Sequence, residues 1–268
     1  MENWTNHPIL RARALHRQLR TPENSLQIRA LLQTALENPV DLDARQVAET
    51  WSLLAEILMC DYLNSWNHAG KDELDEAEKA AHRALKIVAD LGGAHYATGL
   101  VYRARGRHEA ALAAFTRTVE LNPEFALAHA QRGAQLIYTG HPLEAIPHIE
   151  TALRVSRSDH PARGMFYWYM GRAHFYAGNY RDAIPWLQQS VAARGNLWYN
   201  RLYLVGSCAL AGDRDAAAAA LRAFDAEFPN FTVARVIASE QTNPNDNPVA
   251  VAARRQFHEG LRRAGMPQ

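Results

Sequence analysis

Four glycines, Gly106, Gly140, Gly178 and Gly212, recur at intervals of 34, 38 and 34 residues and limit what the middle of this chain can fold into. Each stands between two amphipathic segments, as Gly106 stands between Val101 to Arg105 and Arg107 to Val119. Each unit therefore reads as helix, tight turn, helix, and a period near 34 residues with that content predicts an array of antiparallel helical hairpins. Stacked on the turn glycines, the small residues align: Gly99, Gly133, Gly171 and Val205 before the turn, and Ala111, Ala145, Ala183 and Ala217 after it. Two helices approach closely only where side chains are small, and Phe115, Ile149, Leu187 and Leu221 are predicted to fill the space beside each crossing. Asn122-Pro123 and Phe228-Pro229 close two of the units, because proline supplies no amide donor and steers the preceding residue out of helix. The longer interval reflects Ser156 to Arg163, which extends one connection.

The run Gly99, Tyr102, Gly106, Ala111, Phe115, Pro123 resembles a tetratricopeptide repeat in order and spacing. Gly133, Ala145, Ile149 and Ala152 repeat the pattern, as do Gly171, Ala183 and Leu187. The fourth unit departs from it, with Val205 for glycine and Cys208 for an aromatic residue, yet Ala217, Leu221 and Pro229 keep register. The resemblance implies an all-α, right-handed solenoid of helical hairpins. Six helix pairs are expected in one domain spanning 1–268: two degenerate pairs in 1–91, four clear repeats in 92–228, and C-terminal helices in 229–268. The degenerate pairs are placed at Ile9 to Leu19 with Leu26 to Glu37, and at Ala44 to Leu63 with Leu74 to Val88. An insertion near 64–72, carrying Trp66, Asn67, His68 and Gly70, separates the members of the second pair. A short helix from Phe231 to Ser239 and a last helix from Val249 to Arg263 follow, with Arg254, Arg255, Glu259, Arg262 and Arg263 expected to form the polar outer face a terminal repeat needs.

A second resemblance covers nearly the whole chain. The stretch from Glu120 through Arg154, then Gly178 to Ile184, Phe228 to Arg235 and the closing Glu259 to Pro267, of which Gly260-Leu-Arg-Arg-Ala-Gly-Met-Pro267 is the most specific part, resemble the C-terminal repeat region of bacterial class III adenylate cyclases and related winged-helix regulators. No cyclase or DNA-binding domain is expected ahead of the repeats in this sequence, so neither activity is expected to carry over.

The remaining classes are narrowed by composition. The chain has 268 residues, 48% hydrophobic and 21% charged, enough for a continuous core between helical layers, and its net charge of +1 sets up no field for nucleic acid or membrane. Two cysteines, Cys60 and Cys208, make no disulfide framework, and neither a secretory leader nor a run of some 20 apolar residues is found, so a cytoplasmic location is expected. Arg11, Arg13, Arg17, Arg20 and Arg29 cluster without the aromatic interleaving that nucleic-acid binding favours and read as a solvated face.

In tetratricopeptide arrays the first helix of each hairpin lines the concave face. On that register the partner-binding groove comprises Tyr96, Leu100 and Arg103; Leu127, Ala130, Ala134, Ile137 and Tyr138; Met165, Trp168, Arg172, Phe175 and Tyr176; and Tyr199 and Leu202. The lysine and asparagine that grip a peptide carboxylate in family members are missing from these columns. The expected ligand is an apolar or aromatic polypeptide segment, with Arg103 and Arg172 orienting an acidic group. Tyrosine and tryptophan suit such a surface, offering large contact area at small entropic cost. Tyr167, Met170 and His174 are assigned to the core. Trp168 and Tyr176 are assigned either to the groove or to contact with a neighbouring element, and the terminal helix folding back into the groove is a third reading. Self-association or a structural role in a larger assembly are alternatives to a regulatory or scaffolding module.

Catalytic and metal readings find little support. Of twelve histidines, His141 and His148 stand near Glu144 on one helix, but no further ligand completes a set. Ser156, Ser158, Asp159 and His160 are too close in sequence for a hydrolytic triad and read as loop caps. Gly92-Gly93 lacks the lysine of a phosphate loop. No cofactor, metal or catalytic residue is expected. Pro147 and Pro185 share a column and predict a tolerated bend in the outer helices.

Overall fold

The computed structural model describes residues 8–16, 21–39, 42–193, 198–240 (backbone only at Glu240) and 245–268. Among these residues there are fourteen helices and no strand, giving an all-α array of helical hairpins. The chain divides into two compact units, Met1–Ala128 and His129–Gln268.

The first unit holds α1 (Pro8–His16), α2 (Pro22–Glu37), α3 (Ala44–Asn64), α4 (Lys71–Ile87), α5 (Gly92–Ala104) and α6 (His108–Leu121). They pack as three successive hairpins, α1 on α2, α3 on α4 and α5 on α6, with α2 and α5 also packed on α3. The helix starts follow local chemistry. The Thr21 hydroxyl accepts from Asn24 N at the head of α2, and Asp43 and Gln46 form a reciprocal capping box at the head of α3. Ile28, Leu32, Leu54, Leu58 and Phe115 are buried together in its core, while the tight α3–α4–α5 contact is made by Ala55, Ala80, Ala81 and Ala97.

The insertion predicted near 64–72 is a short loop that fastens α2 to α3. Ser65, Asn67 and His68 take left-handed φ values of 53, 52 and 57°, and the Asn67 amide donates to Pro22 O at 3.1 Å and to Asp61 Oδ2 at 3.4 Å. Asp61 is fully buried, and it also accepts from Ser25 Oγ and from Arg29 Nη1 at 3.3 Å. Arg29 therefore serves the interior, and Arg13 pairs with Glu49. Arg17, Arg20 and the end of the first expected helix lie outside the described residues.

In the second unit the hairpins are α7 (Ala126–Tyr138, whose first turn precedes the boundary) with α8 (Pro142–Val155), α9 (Arg163–Tyr176) with α10 (Tyr180–Ala193), and α11 (Trp198–Leu210) with α12 (Arg214–Glu227). Two further helices follow, α13 (Val233–Glu240) and α14 (Pro248–Arg263). The repeat glycines of both units take left-handed φ values, +71° at Gly106, +89° at Gly140, +80° at Gly178 and +86° at Gly212. At each, the amide of the next residue bonds back across the turn, as Asn179 N does to His174 O at 2.9 Å, which is the glycine-capped helix end that satisfies orphan carbonyls.

The small columns do what spacing predicts. A methyl group on Gly99 would lie 2.6 Å from the Phe115 ring, one on Gly133 2.6 Å from Ile149 and one on Gly171 2.6 Å from Leu187. Helices α8 and α10 run unbroken through Pro147 and Pro185. Both prolines sit on exposed faces, where water can replace the helical bond each removes.

Candidate functional site

Helix α9, with the sequence RGMFYWYMGRAHFY, is apolar on nearly every side because it is packed on nearly every side. It touches α8, α10, α11 and α14. Phe166, Met170 and Ala173 are fully buried. Tyr167 is half-buried and stacks on Trp186 at 6.2 Å.

On the side shared by α7, α9 and α11 lies an open cleft of about 220 Å³. Its floor is Arg172, only 8% exposed. The guanidinium carbon stands 4.3 Å from the Tyr138 ring centre, 4.9 Å from Tyr176 and 6.0 Å from Trp168, and Nη2 donates to Tyr176 Oη at 3.1 Å. Trp168 packs against Tyr199 and Tyr203, each with ring centres 5.0 Å away. Among the described residues the buried Nε of Arg172 finds no hydrogen-bond partner. Taking a guanidinium out of water costs several kcal/mol, of which cation–π contacts return about 0.5–2 kcal/mol each. Burial works against the charge, while the phenols of Tyr138, Tyr176 and Tyr203 favour it, and the group is held well above its ordinary value.

The cleft is closed on its far side by the C-terminal segment. Asn245 Nδ2 donates to Tyr138 O and Asn247 Nδ2 to Thr139 O, each at 2.9 Å, while Asn247 Oδ1 caps α14 by accepting from Val249 N. Helix α14 then lies on α11 and α9. Phe257 stacks on Tyr203 with ring centres 4.1 Å apart, and a methyl group on Gly260 would meet the Gly206 backbone at 2.8 Å. In this hairpin glycine has moved from the expected position 205 to 206, which turns it by about 100° around the helix to the side where α14 lands. Arg254, expected on the polar outer face, instead lines the cleft, with Nη2 donating to Asn245 O at 2.6 Å. Arg255, Arg262 and Arg263 are exposed. The closing motif has a structural account: Gly265 caps α14 at φ +93°, Met266 is buried, and Pro267 O accepts from Val233 N at 2.8 Å.

Of the expected groove residues, Tyr138, Trp168, Arg172, Tyr176 and Tyr199 line the cleft. Ala130, Ala134, Ile137, Phe175 and Leu202 are buried within the second unit, and Met165 is half-buried. In the first unit Tyr96 and Leu100 are buried, Tyr96 lying 5.8 Å from Phe115 and 4.8 Å from Phe125, while Leu127 and Arg103 are half-buried. Sequence reasoning missed Trp198, Tyr203, Ser239, Asn245, Ala250 and Phe257 as lining residues. Position 203 falls outside the column used, and nothing periodic links the terminal segment to α7.

The other singled-out groups have local roles. His141 Nδ1 lies 3.0 Å from Glu144 Oε1 on an exposed surface, and among the described residues no three potential metal ligands converge. Arg157 pairs with Asp159, Ser156 bonds Leu153 O and receives Arg163, and His160 Nδ1 accepts from Ala162 N, so this loop ties down the start of α9. Burial pushes the His148, His160 and His174 imidazoles below their ordinary value. No helix among the described residues is long and apolar enough to cross a membrane.

Comparison with known proteins gives a consistent family signal. Tetratricopeptide repeat models match residues 92–125 and 124–196. No curated protein matches the sequence. Among solved structures, PilF of Pseudomonas aeruginosa is similar at a TM-score of 0.61 and 17% identity, over 85% of this chain and 94% of that one. PilW, a widely conserved type IV pilus biogenesis factor, is similar at 0.60 and 17% identity, over 81% and 93%. YrrB, a tetratricopeptide protein with an unusual peptide-binding site, is similar at 0.55 and 17% identity, over 78% and 97%. At these identities the likeness is one of fold. The helical hairpins at residues 92–196 are tetratricopeptide repeats.

Proposed function

We propose that this chain is a non-catalytic protein–protein interaction module with a regulatory or scaffolding role in bacterial signalling, taking an apolar or aromatic polypeptide segment on the aromatic side of its second unit. The observation that carries the reading is the cleft itself: the half-buried Tyr138, Tyr176 and Tyr199 present large rings with polar tips around a buried cation. Such surfaces anchor partners with little loss of side-chain entropy. YrrB, whose fold is similar, has a peptide-binding site, so hairpins of this kind can present one. The signalling part of the proposal rests on the resemblance of Gly260 to Pro267 to the cyclase and regulator tails.

A peptide array probed with the wild-type chain and with Trp168→Ala and Tyr176→Ala variants tests the proposal. Apolar or aromatic peptides are expected to bind the wild type and to lose affinity for both variants. Unchanged binding by the variants would end the reading. A structural subunit of a larger assembly is the alternative, and stoichiometric, long-lived co-purification insensitive to both substitutions would favour it.

A further inference from the structure

The cleft of the second unit contains a feature that a plain aromatic contact surface does not need. Arg172 is more than nine-tenths buried, none of the described lining residues is acidic, and the second cation at the site, Arg254, spends its described hydrogen bond on a backbone carbonyl. Two arginines from different helices, α9 and α14, thus line one small cavity whose other walls are mostly aromatic rings, with Ser239, Asn245 and Ala250 completing them.

We propose that this cleft binds a carboxylate carried on an aryl body, the carboxylate lying between Arg172 and Arg254 and the ring among Trp168, Tyr176 and Tyr199. A planar carboxylate matches the planar fork of a guanidinium, and such charge-assisted bonds are strongest where water is excluded. The aromatic walls suit a flat apolar body with edge-to-face contacts. The volume of about 220 Å³ is the scale of one amino-acid-sized group rather than a nucleotide. One such ligand is the free end of a polypeptide finishing in an aromatic residue, and another is a small aryl acid. The inference deepens the reading above on the same cleft, but a small acid tests it without any protein partner, so its failure leaves polypeptide recognition standing.

Calorimetric titration of the full chain with phenylacetate and N-acetylphenylalanine, against phenylacetamide and N-acetylphenylalaninamide, is the test. The acids are expected to bind about tenfold or more tighter than the matching amides. Arg172→Met is expected to abolish that preference and Arg254→Gln to reduce it. Arg254 is half-exposed, so its variant keeps the test decisive if Arg172→Met does not fold. A phenylalanine-terminated peptide that binds far tighter than N-acetylphenylalanine, and loses this on amidation, identifies a chain terminus as the source, whereas equal affinity identifies a small acid. Equal binding of acids and amides, no binding of either, or a preference that survives both substitutions overturns the proposal.

Discussion

Among the described residues each of the two units buries one charged side chain, and they treat it in opposite ways. In the first, the Asp61 carboxylate is enclosed completely and met by Arg29, Ser25 and Asn67, so the charge is answered within the fold and ties α2, α3 and the insertion loop together. In the second, the Arg172 guanidinium is enclosed almost as deeply but meets only phenols, aromatic faces and an open cavity. A buried charge that its own chain satisfies is a structural device. A buried charge left with neutral neighbours beside a cavity is poised for an external counter-ion.

The largest expected effect is on the satisfied charge. Asp61→Asn leaves Arg29 without its carboxylate and disturbs three hydrogen-bonded elements, so urea unfolding should show a loss of about 3 kcal/mol. Next comes the seat of α14. Gly260→Ala drives a methyl group into the Gly206 backbone, which cannot rotate away as a side chain can. It should cost about 2 kcal/mol and disrupt the cleft, seen as altered ligand titration and faster amide exchange in α14. Gly178→Ala, at φ +80°, should cost about 1 kcal/mol while leaving the cleft intact, because nothing stands within 4 Å of the added methyl group.

A smaller, pH-dependent effect belongs to the second unit. His148, His160 and His174 are depressed mainly by burial, with Arg132 and His129 adding to it at His148 and Arg163 at His160. The folded chain therefore binds fewer protons than the unfolded chain as pH drops below about 6.5. Stability is full above that value and is lost as pH falls from it toward and through the depressed folded values. The urea midpoint should fall between pH 7 and pH 5, and replacing the three histidines with glutamine should flatten that slope.

Much of the fold was legible because it rests on local, repeated constraints. A turn glycine with positive φ and a small residue facing a large one each leave a mark at fixed spacing, and Gly99 with Phe115, Gly133 with Ile149 and Gly171 with Leu187 could be paired before any coordinates. The candidate site was legible only in part. Trp168, Arg172 and Tyr176 stand out in an unusually aromatic helix, but a helix apolar all round does not reveal which rings face the core, and Phe175 and Leu202 are in it. The far wall depends on contacts such as Asn245 with Tyr138 and Asn247 with Thr139, between residues 107 and 108 positions apart. No periodicity spans that distance, and the one-residue shift of glycine from 205 to 206 reads as a weakened repeat until α14 is seen resting on it.

The most direct measurement is the unliganded stability of Arg172→Met beside that of Asp61→Asn. Methionine keeps the buried stem and removes the charge, so the account predicts a urea midpoint equal to or above that of the wild type, even as Asp61→Asn falls well below it. An Arg172→Met chain destabilised as much as Asp61→Asn would show that the guanidinium holds the fold together, contradicting its role as a receptor for an outside anion.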